Sequence, residues 1–510
     1  MPTDVLAAWP AARPLVVLWS GDDGSAESRW TIMAQPREVL RCDRGPGGAV
    51  RCRLIAGGVE RELSADPLEA LRACIESTAS TAEKHAVGEA PPFRGGWIGA
   101  LSYELGHLIE PAALRGGMGN VEQSGADRWP LMEMQYCPAA YCHDNQTGVW
   151  WRGGLEDACG GDAESLPEFV GLVAGAGGGG GATAHDQFEL GTPVSLMGEP
   201  GYREAVARCV RYIHDGDIFQ ANIAHRLRAT FSGSARALFL EMASRMRPRY
   251  GAYLERVCWG GSEGEAGGKT CKERRVLASV SPELFLDVDL ASGRVVTRPI
   301  KGTRPAGGAR GEGEAELDRS EKDRAELAMI VDLMRNDLGR VSRFGTIKVE
   351  QARQIEAHGP RAGAETDGGG GVLHAVATVS GVVRSGVGVT DLLRATFPAG
   401  SITGAPKVRS MQVIRELEPV ARGPYCGSIG YISDHGHAAF NVAIRTACIE
   451  GTPGAPGLGS ILDGLVEYGV GAGIVAESDP ESEWRETLDK AGGLLHTAAA
   501  TRRHPCGATS

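Results

Sequence analysis

Residues 428–450 read SIGYISDHGHAAFNVAIRTACIE, two apolar β-forming runs on either side of the turn-forming SDHG. That is the pattern of a hairpin, and a hairpin joins neighbouring antiparallel strands. Working outward, RVLASVSPELFLDVD (275–289), GRVVTRPIKG (293–302) and GVLHAVATVSGVV (371–383) read as further strands. EPGYREAVARCVRYIHDGD (199–217), DRAELAMIVDLMRNDLGRV (323–341), KVRSMQVIRELEP (407–419) and DPESEWRETLDKAGGLL (479–495) carry apolar residues at helical spacing. Before residue 175, short β-like runs (RPLVVLWSG, GGAVRCRLIAGGV, VWWRGG) alternate with the helical ADPLEALRACIESTASTAEKH. Helices mixed with adjacent strands predict an α+β fold with large, mostly antiparallel sheets.

The bulk numbers suit a globular protein with a large core: 510 residues, 42% hydrophobic, 23% charged. A net charge of −11 argues against nucleic acid as a partner, and no run is long and apolar enough to span a membrane. Pro10, Arg13 and Pro14 break the first apolar stretch, a poor pattern for a signal peptide. Twelve cysteines at irregular spacings, with no CxxC pair, indicate neither a zinc site nor a disulfide framework. A reduced, cytoplasmic protein is expected. Glycine-rich tracts at 175–183, 260–270 and 363–371 read as linker or loop insertions. The first marks a boundary, giving an N-terminal region (1–170), a linker (171–198), a main domain (199–495) and a tail (496–510), and the other two fall inside the main domain as loops.

Chemistry concentrates in a few places. Lys301 stands in RPIKGTRP at the end of a strand, where Gly302 and Pro305 read as a turn. Such a lysine is a solvated charge, an anion clamp or a nucleophile. Asp323 and Glu326 are three apart at the start of one helix, and Glu483 and Glu486 repeat the spacing at the start of another, capped by Asp479 and Pro480. Either pair alone reads as a solvated face; converging, they suit a hard divalent cation such as Mg²⁺. Gly400, Ser401, Thr403 and Gly404 precede a helix and could cradle an anion. Arg445, placed inside the apolar run FNVAIRTACIE, needs an anionic partner, and Tyr425 could share it. Glu283 heads an apolar strand, where burial would raise its pKa, and His374 is a lone histidine in another. Gly469, Gly471 and Gly473 lack dinucleotide-fingerprint spacing, but could offer backbone N–H groups to a carboxylate.

Taken together, GDIFQANIAHRL, SVSPELFL, RPIKGTRP, DRAELAMIVDLMRNDLGRV, FPAGSITGAPKVRSMQVIRELEP, YCGSIGYIS, FNVAIRT and GAGIVAESDPESEWRETLDKA resemble the chorismate-utilising enzymes, in the family's order from about residue 200 to 493. PLVVLWSGDDG and PFRGGWIGALSYELGHLIE also look like the family's first region. The resemblance implies an anthranilate synthase component I-like, chorismate-binding fold and chorismate as substrate. Relatives making anthranilate read PIAGT where this chain reads PIKGT, so Lys301 points to the aminodeoxychorismate synthase branch: chorismate plus ammonia giving 4-amino-4-deoxychorismate, on the way to 4-aminobenzoate and folate. By the same resemblance, Glu326 and Glu486 would hold Mg²⁺ with Asp323 and Glu483 in support. Lys301 would be the nucleophile, Glu283 the general acid with His374 beside it, and Tyr425, Arg445, Gly471, Gly473 and Ser401 would hold substrate. No glutaminase nucleophile motif is recognised, which implies ammonia from a separate glutamine amidotransferase subunit. Ser20, in LWSG, lies where relatives bind tryptophan, although they typically read LLES there. Anthranilate synthase component I, a non-catalytic chorismate-binding paralogue and an isochorismate-forming isomerase are the alternatives.

Overall fold

The computed structural model describes residues 1–10, 13–21, 25, 28–78, 90–115, 128–154, 187–256, 274–305, 312–358, 372–453 and 461–503. The three glycine-rich tracts lie outside them. The described strands form two twelve-stranded sheets in which every pairing is antiparallel, as the hairpin pattern predicts. In one sheet, Gln220–Ser234, Ile461–Ile474, Thr446–Pro453, Arg274–Ser281 and Tyr250–Glu255 run on into Val16–Trp19, Trp30–Ala34 and Ala139–Asp144. In the other, Ile300–Pro305, Val372–Val382, Arg294–Arg298, Leu284–Asp289, His437–Asn441 and Ser428–Ser433 continue into Gly96–Leu101, Met132–Cys137 and Glu38–Arg44.

The sheets face each other. Val16, Ile32, Ala252 and Leu254 of the first pack with Ile98, Ala100, Ile429 and Tyr431 of the second in one buried cluster. Each large aliphatic side chain buried this way contributes about 1.5–3 kcal/mol. Strands from both sides of residues 171–198 therefore share both sheets, and the division drawn there is one of sequence, not of sheet. The linker is also shorter than expected, since Phe188–Leu190 and Val194–Ser195 pair with Gln220–Ser234. The tail begins as structure too: Gly492–Arg503 is a helix.

Seven elements carry the site: strands β1 (Gln220–Ser234), β2 (Leu284–Asp289) and β3 (Ile300–Pro305), helix α1 (Glu321–Gly339), strands β4 (Val372–Val382) and β5 (Ile461–Ile474), and helix α2 (Pro480–Lys490). Both helix starts follow their caps. Ser320 Oγ accepts from the Asp323 N–H at 3.2 Å and Asp479 Oδ2 from the Ser482 N–H at 2.8 Å. Gly302 does not turn the chain. It makes a bulge in β3, at φ 77°, where the register against β4 shifts between Lys301 and Thr303.

The opening stretch divides where sequence showed one continuous run. Ser428–Ser433 and His437–Asn441 form the hairpin in the second sheet, but Thr446–Pro453 belongs to the first. Residues 442–445 are thus a crossover between sheets, and Arg445, read as a strand residue, stands in it at φ 51°. Pro282 and Glu283 make a second crossover, from Arg274–Ser281 to β2. The Val442 N–H donates to the Glu283 carbonyl at 3.0 Å and the Val280 N–H to the Arg445 carbonyl at 3.0 Å. The two crossings form one seam.

Candidate active site

Lys301 comes to the seam from β3, about 9% exposed, with Nζ 3.7 Å from Glu326 Oε2 of α1. Gln220 Nε2, from β1, donates to the same carboxylate oxygen at 3.2 Å. These side chains meet over Gly473 of β5. A Cβ there would stand 2.7 Å from Gln220 Nε2, 2.9 Å from Lys301 Nζ and 3.0 Å from Glu326 Oε2. Gly473 thus serves the site by having no side chain. Gly471, two residues earlier, accepts from Lys490 Nζ of α2 at 3.0 Å through its carbonyl. Gly302 does for the helix what Gly473 does for the lysine, since a Cβ there would lie 2.8 Å from Asp323 Cγ.

Glu283 sits in the seam, fully buried. Burial pushes its carboxyl up to about 7, against the pull of Ser401, Lys301 and the Ile300 N–H. Ser401 Oγ, from the Gly400–Ile402 turn, is beside it and buried, but makes no well-aligned hydrogen bond. The rest of the expected anion cradle is spent internally, with the Thr403 hydroxyl donating to the Ala399 carbonyl at 3.0 Å.

His374, on β4, is fully buried. Burial, then the positive charge of Arg445, holds its imidazole well below the ordinary histidine range, so the ring is neutral. Its Nε2 faces Arg445 Nη2 at 3.4 Å and must accept, which leaves Nδ1 to donate to Thr303 Oγ1 at 3.0 Å. A neutral ring in this tautomer holds a guanidinium and donates no proton to a substrate. Arg445 itself has no carboxylate at salt-bridge distance among the described residues, and burial lowers its pKa. A desolvated guanidinium without a protein anion suits an anionic ligand. Tyr425 lies against β5, its ring over Gly469, where a Cβ would come within 2.2 Å of it. Ser20 stands elsewhere, its hydroxyl donating to the Arg249 carbonyl at 3.2 Å and its carbonyl accepting from Asn145 at 3.1 Å.

Each of the four acids has a cation of its own. Lys301 is 3.7 Å from Glu326, Lys322 3.0 Å from Glu483, Lys490 2.7 Å from Glu486 and Arg304 3.1 Å from Asp323. Burial raises Glu326, whereas Lys490 holds Glu486 below the usual carboxylate range. Among the described residues, no three His, Cys, Asp or Glu side chains stand close enough to hold a metal by themselves. The donor set nevertheless fits a hard divalent cation. It is all oxygen, Asp323 and Glu486 both add negative potential at Glu326, and Glu483 Oε2 is buried with no partner. A cation with one or two carboxylates would take its other ligands from water and substrate, as Mg²⁺ commonly does.

Gln220, Lys322, Lys490 and Thr303 were not singled out in the sequence. Gln220 lies inside a motif that carries the family resemblance, and the lysines look like ordinary helix charges until their partners are known.

A buried lysine, a buried acid with a raised pKa, a guanidinium without a carboxylate partner among the described residues, and paired carboxylates together suit a small anionic ligand. The sequence profile of the family described as chorismate binding enzyme matches residues 34–496, and the chain belongs to that family. It is 38% identical over 311 residues to anthranilate synthase component 1 3 of Haloarcula marismortui, covering 59% of this chain and 52% of that one. It is 37% identical over 304 residues to aminodeoxychorismate synthase component 1 of Escherichia coli, covering 59% and 58%. The chain thus spans little more than half the length of these relatives. Anthranilate synthase component I from Streptococcus pneumoniae has the same fold, with a TM-score of 0.67 at 23% identity over 92% of this chain and 93% of that one. Among the described residues no helix is long and apolar enough to cross a membrane.

Proposed function

We propose that the protein aminates chorismate at C4 to give 4-amino-4-deoxychorismate, the step before 4-aminobenzoate in folate synthesis, with ammonia from a separate glutamine amidotransferase subunit. The observation that carries this reading is Lys301, nine-tenths buried beside Glu326 and in the field of the protonated Glu283. Lys301, a cation against Glu326 in the free chain, gives up a proton to solvent as substrate binds, and its Nζ lone pair attacks C2. Both ring double bonds shift, C1=C2 to C1=C6 and C5=C6 to C4=C5, and the C4 hydroxyl leaves as water with the proton of Glu283. Ammonia then adds at C4, both double bonds return, the C2–N bond to Lys301 breaks with its electron pair going back to the lysine nitrogen, and the new C4 ammonium returns a proton to the Glu283 carboxylate. Arg445, held by His374, binds a substrate carboxylate, with Tyr425 and the Gly471–Gly473 backbone alongside. Ser401 orients the reacting ring against Glu283. Mg²⁺ would be held by Glu326 and Glu486, with Asp323 and Glu483 in support, and when bound would draw electron density from the conjugated ring.

The second reading is amination at C2 to give anthranilate, supported by the equal similarity to anthranilate synthases. Product analysis after incubating the chain with chorismate, Mg²⁺ and isotopically labelled ammonium separates them. Label in 4-amino-4-deoxychorismate is expected. Labelled anthranilate with release of pyruvate would replace this reading with the second.

A further inference from the structure

The four acids of the site are matched by four cations, and three of those cations are tied down. Arg304 also donates to Glu316 at 2.8 Å and to the Thr303 carbonyl at 2.9 Å. Lys490 also donates to the Gly471 carbonyl. Lys301 is enclosed by Gly473 and Glu326. Lys322 differs. It stands in the first turn of α1, its side chain 40% exposed, and reaches across to α2 to donate to Glu483 Oε1 at 3.0 Å. Glu483 is only about 2% exposed; its Oε1 also accepts from Ser478 Oγ at 2.6 Å while its Oε2 has no partner.

A carboxylate this deeply buried must be neutralised. Lys322 does so here, and a divalent cation held between α1 and α2 would do so equally. Two cations beside one acid repel each other, and the lysine that can swing into water is the one that yields. Lys322 stands next to Asp323 on α1 and touches Glu483 on α2, so it spans the acids of both helices.

We infer that Lys322 is a resident counter-cation which holds the place of the metal's charge in the free enzyme and is displaced when metal and substrate bind together. This rests on the reading that these acids hold a divalent cation. It makes metal binding weak without substrate and stronger with it, because an anionic substrate restores the charge balance that the displaced lysine leaves.

The test is Mn²⁺ binding to the full chain, followed by the electron paramagnetic resonance of the free ion, with and without chorismate. Lys322→Met is expected to tighten binding to the substrate-free enzyme roughly tenfold, the size of a unit charge acting on a divalent one across several ångströms of a water-like medium. It should also shrink the gain that chorismate gives the wild type. Lys322→Gln, which keeps a donor for Glu483, should behave alike if the methionine disturbs the fold. Lys348→Met, which removes the same charge from the exposed strand Lys348–His358, should change nothing. Lys322 variants that bind Mn²⁺ no more tightly than wild type, while wild type binds it with chorismate, would overturn the inference and leave the metal reading standing. Failure of every form to bind Mn²⁺ even with chorismate would overturn the metal reading, and the inference with it.

Discussion

Glu283 keeps its proton up to about neutrality, where it is half ionised, because it is sealed in the seam between the sheets and burial raises its carboxyl from 4.5 to about 7. Ionising it in the folded chain costs about 3 kcal/mol more than in the unfolded chain. Since the folded value is the higher one, the stability in question is fully present below the unfolded value and is lost as pH rises through about 7. Glu283→Gln is expected to melt higher than wild type at about pH 8, with the advantage fading toward about pH 4. In the proposed mechanism the same proton goes to the leaving hydroxyl, so kcat/KM of the wild type should fall on the alkaline side with an apparent pKa near 7. In the glutamine variant that limb should vanish along with most of the activity. An alkaline limb kept in full by Glu283→Gln would remove Glu283 as the acid. Much at this scale was legible: Lys301 stood out because it interrupts a glycine- and proline-marked strand end, and Glu283 because an acid heads an apolar run. His374 was legible as a position but not in its role. Its burial, and then the contact with Arg445, 71 residues away in sequence, hold the ring neutral, and the sequence marks neither. Lys322 was not legible, because its partner lies 161 residues away.

The elements place these residues through glycines where neighbours come too close for a side chain. Gly473→Ala would set a methyl group against the mobile ends of Gln220, Lys301 and Glu326, not against backbone. The fold is expected to accommodate it, with little change in melting temperature, while kcat falls about tenfold to a hundredfold because the lysine is displaced by about an ångström. Gly302→Ala is expected to behave differently. At φ 77° the alanine is strained, and its Cβ would meet Leu317 at 2.7 Å and Asp323 at 2.8 Å, so stability should drop by about 1–3 kcal/mol. Equal melting temperatures for the two variants, measured side by side, would contradict this division of labour. Helical periodicity located α1 and α2, and Asp479 with Pro480 marked the start of α2; the cap of α1, Ser320, was not read, and the helix begins two residues before the stretch that periodicity picked out. The bulge at Gly302 was read as a turn, since glycine signals a left-handed residue without saying whether the strand resumes beyond it. The crossover at 442–445 was invisible because its apolar residues continue the period of the strands on either side.

Across the whole molecule, the site exists because two of the chain's crossings between the facing sheets run side by side, bringing an acid and an arginine together with a lysine from one sheet edge. Antiparallel sheet could be read from hairpins. The sharing of both sheets by N- and C-terminal strands could not, since pairing between Val16–Trp19 and Tyr250–Glu255 leaves no local mark in either segment. A long interval rich in glycine looks like a domain boundary whether or not the flanking segments pair. With no glutaminase motif in the sequence, the purified chain is expected to turn over chorismate with ammonium but not with glutamine. Glutamine use should appear only when an amidotransferase is added, and glutamine-dependent turnover by the chain alone would contradict the proposed source of ammonia. The central claim is that Lys301 bonds to C2 while C4 is substituted. Peptide mass spectrometry of the enzyme quenched during turnover tests it most directly. The wild type should carry a substrate-derived adduct on the peptide containing Lys301, and Lys301→Arg, which keeps the charge without a usable nucleophile, should be inactive and unmodified. A wild type without adduct, together with an arginine variant of wild-type rate and product, would contradict it and leave Lys301 as an electrostatic clamp.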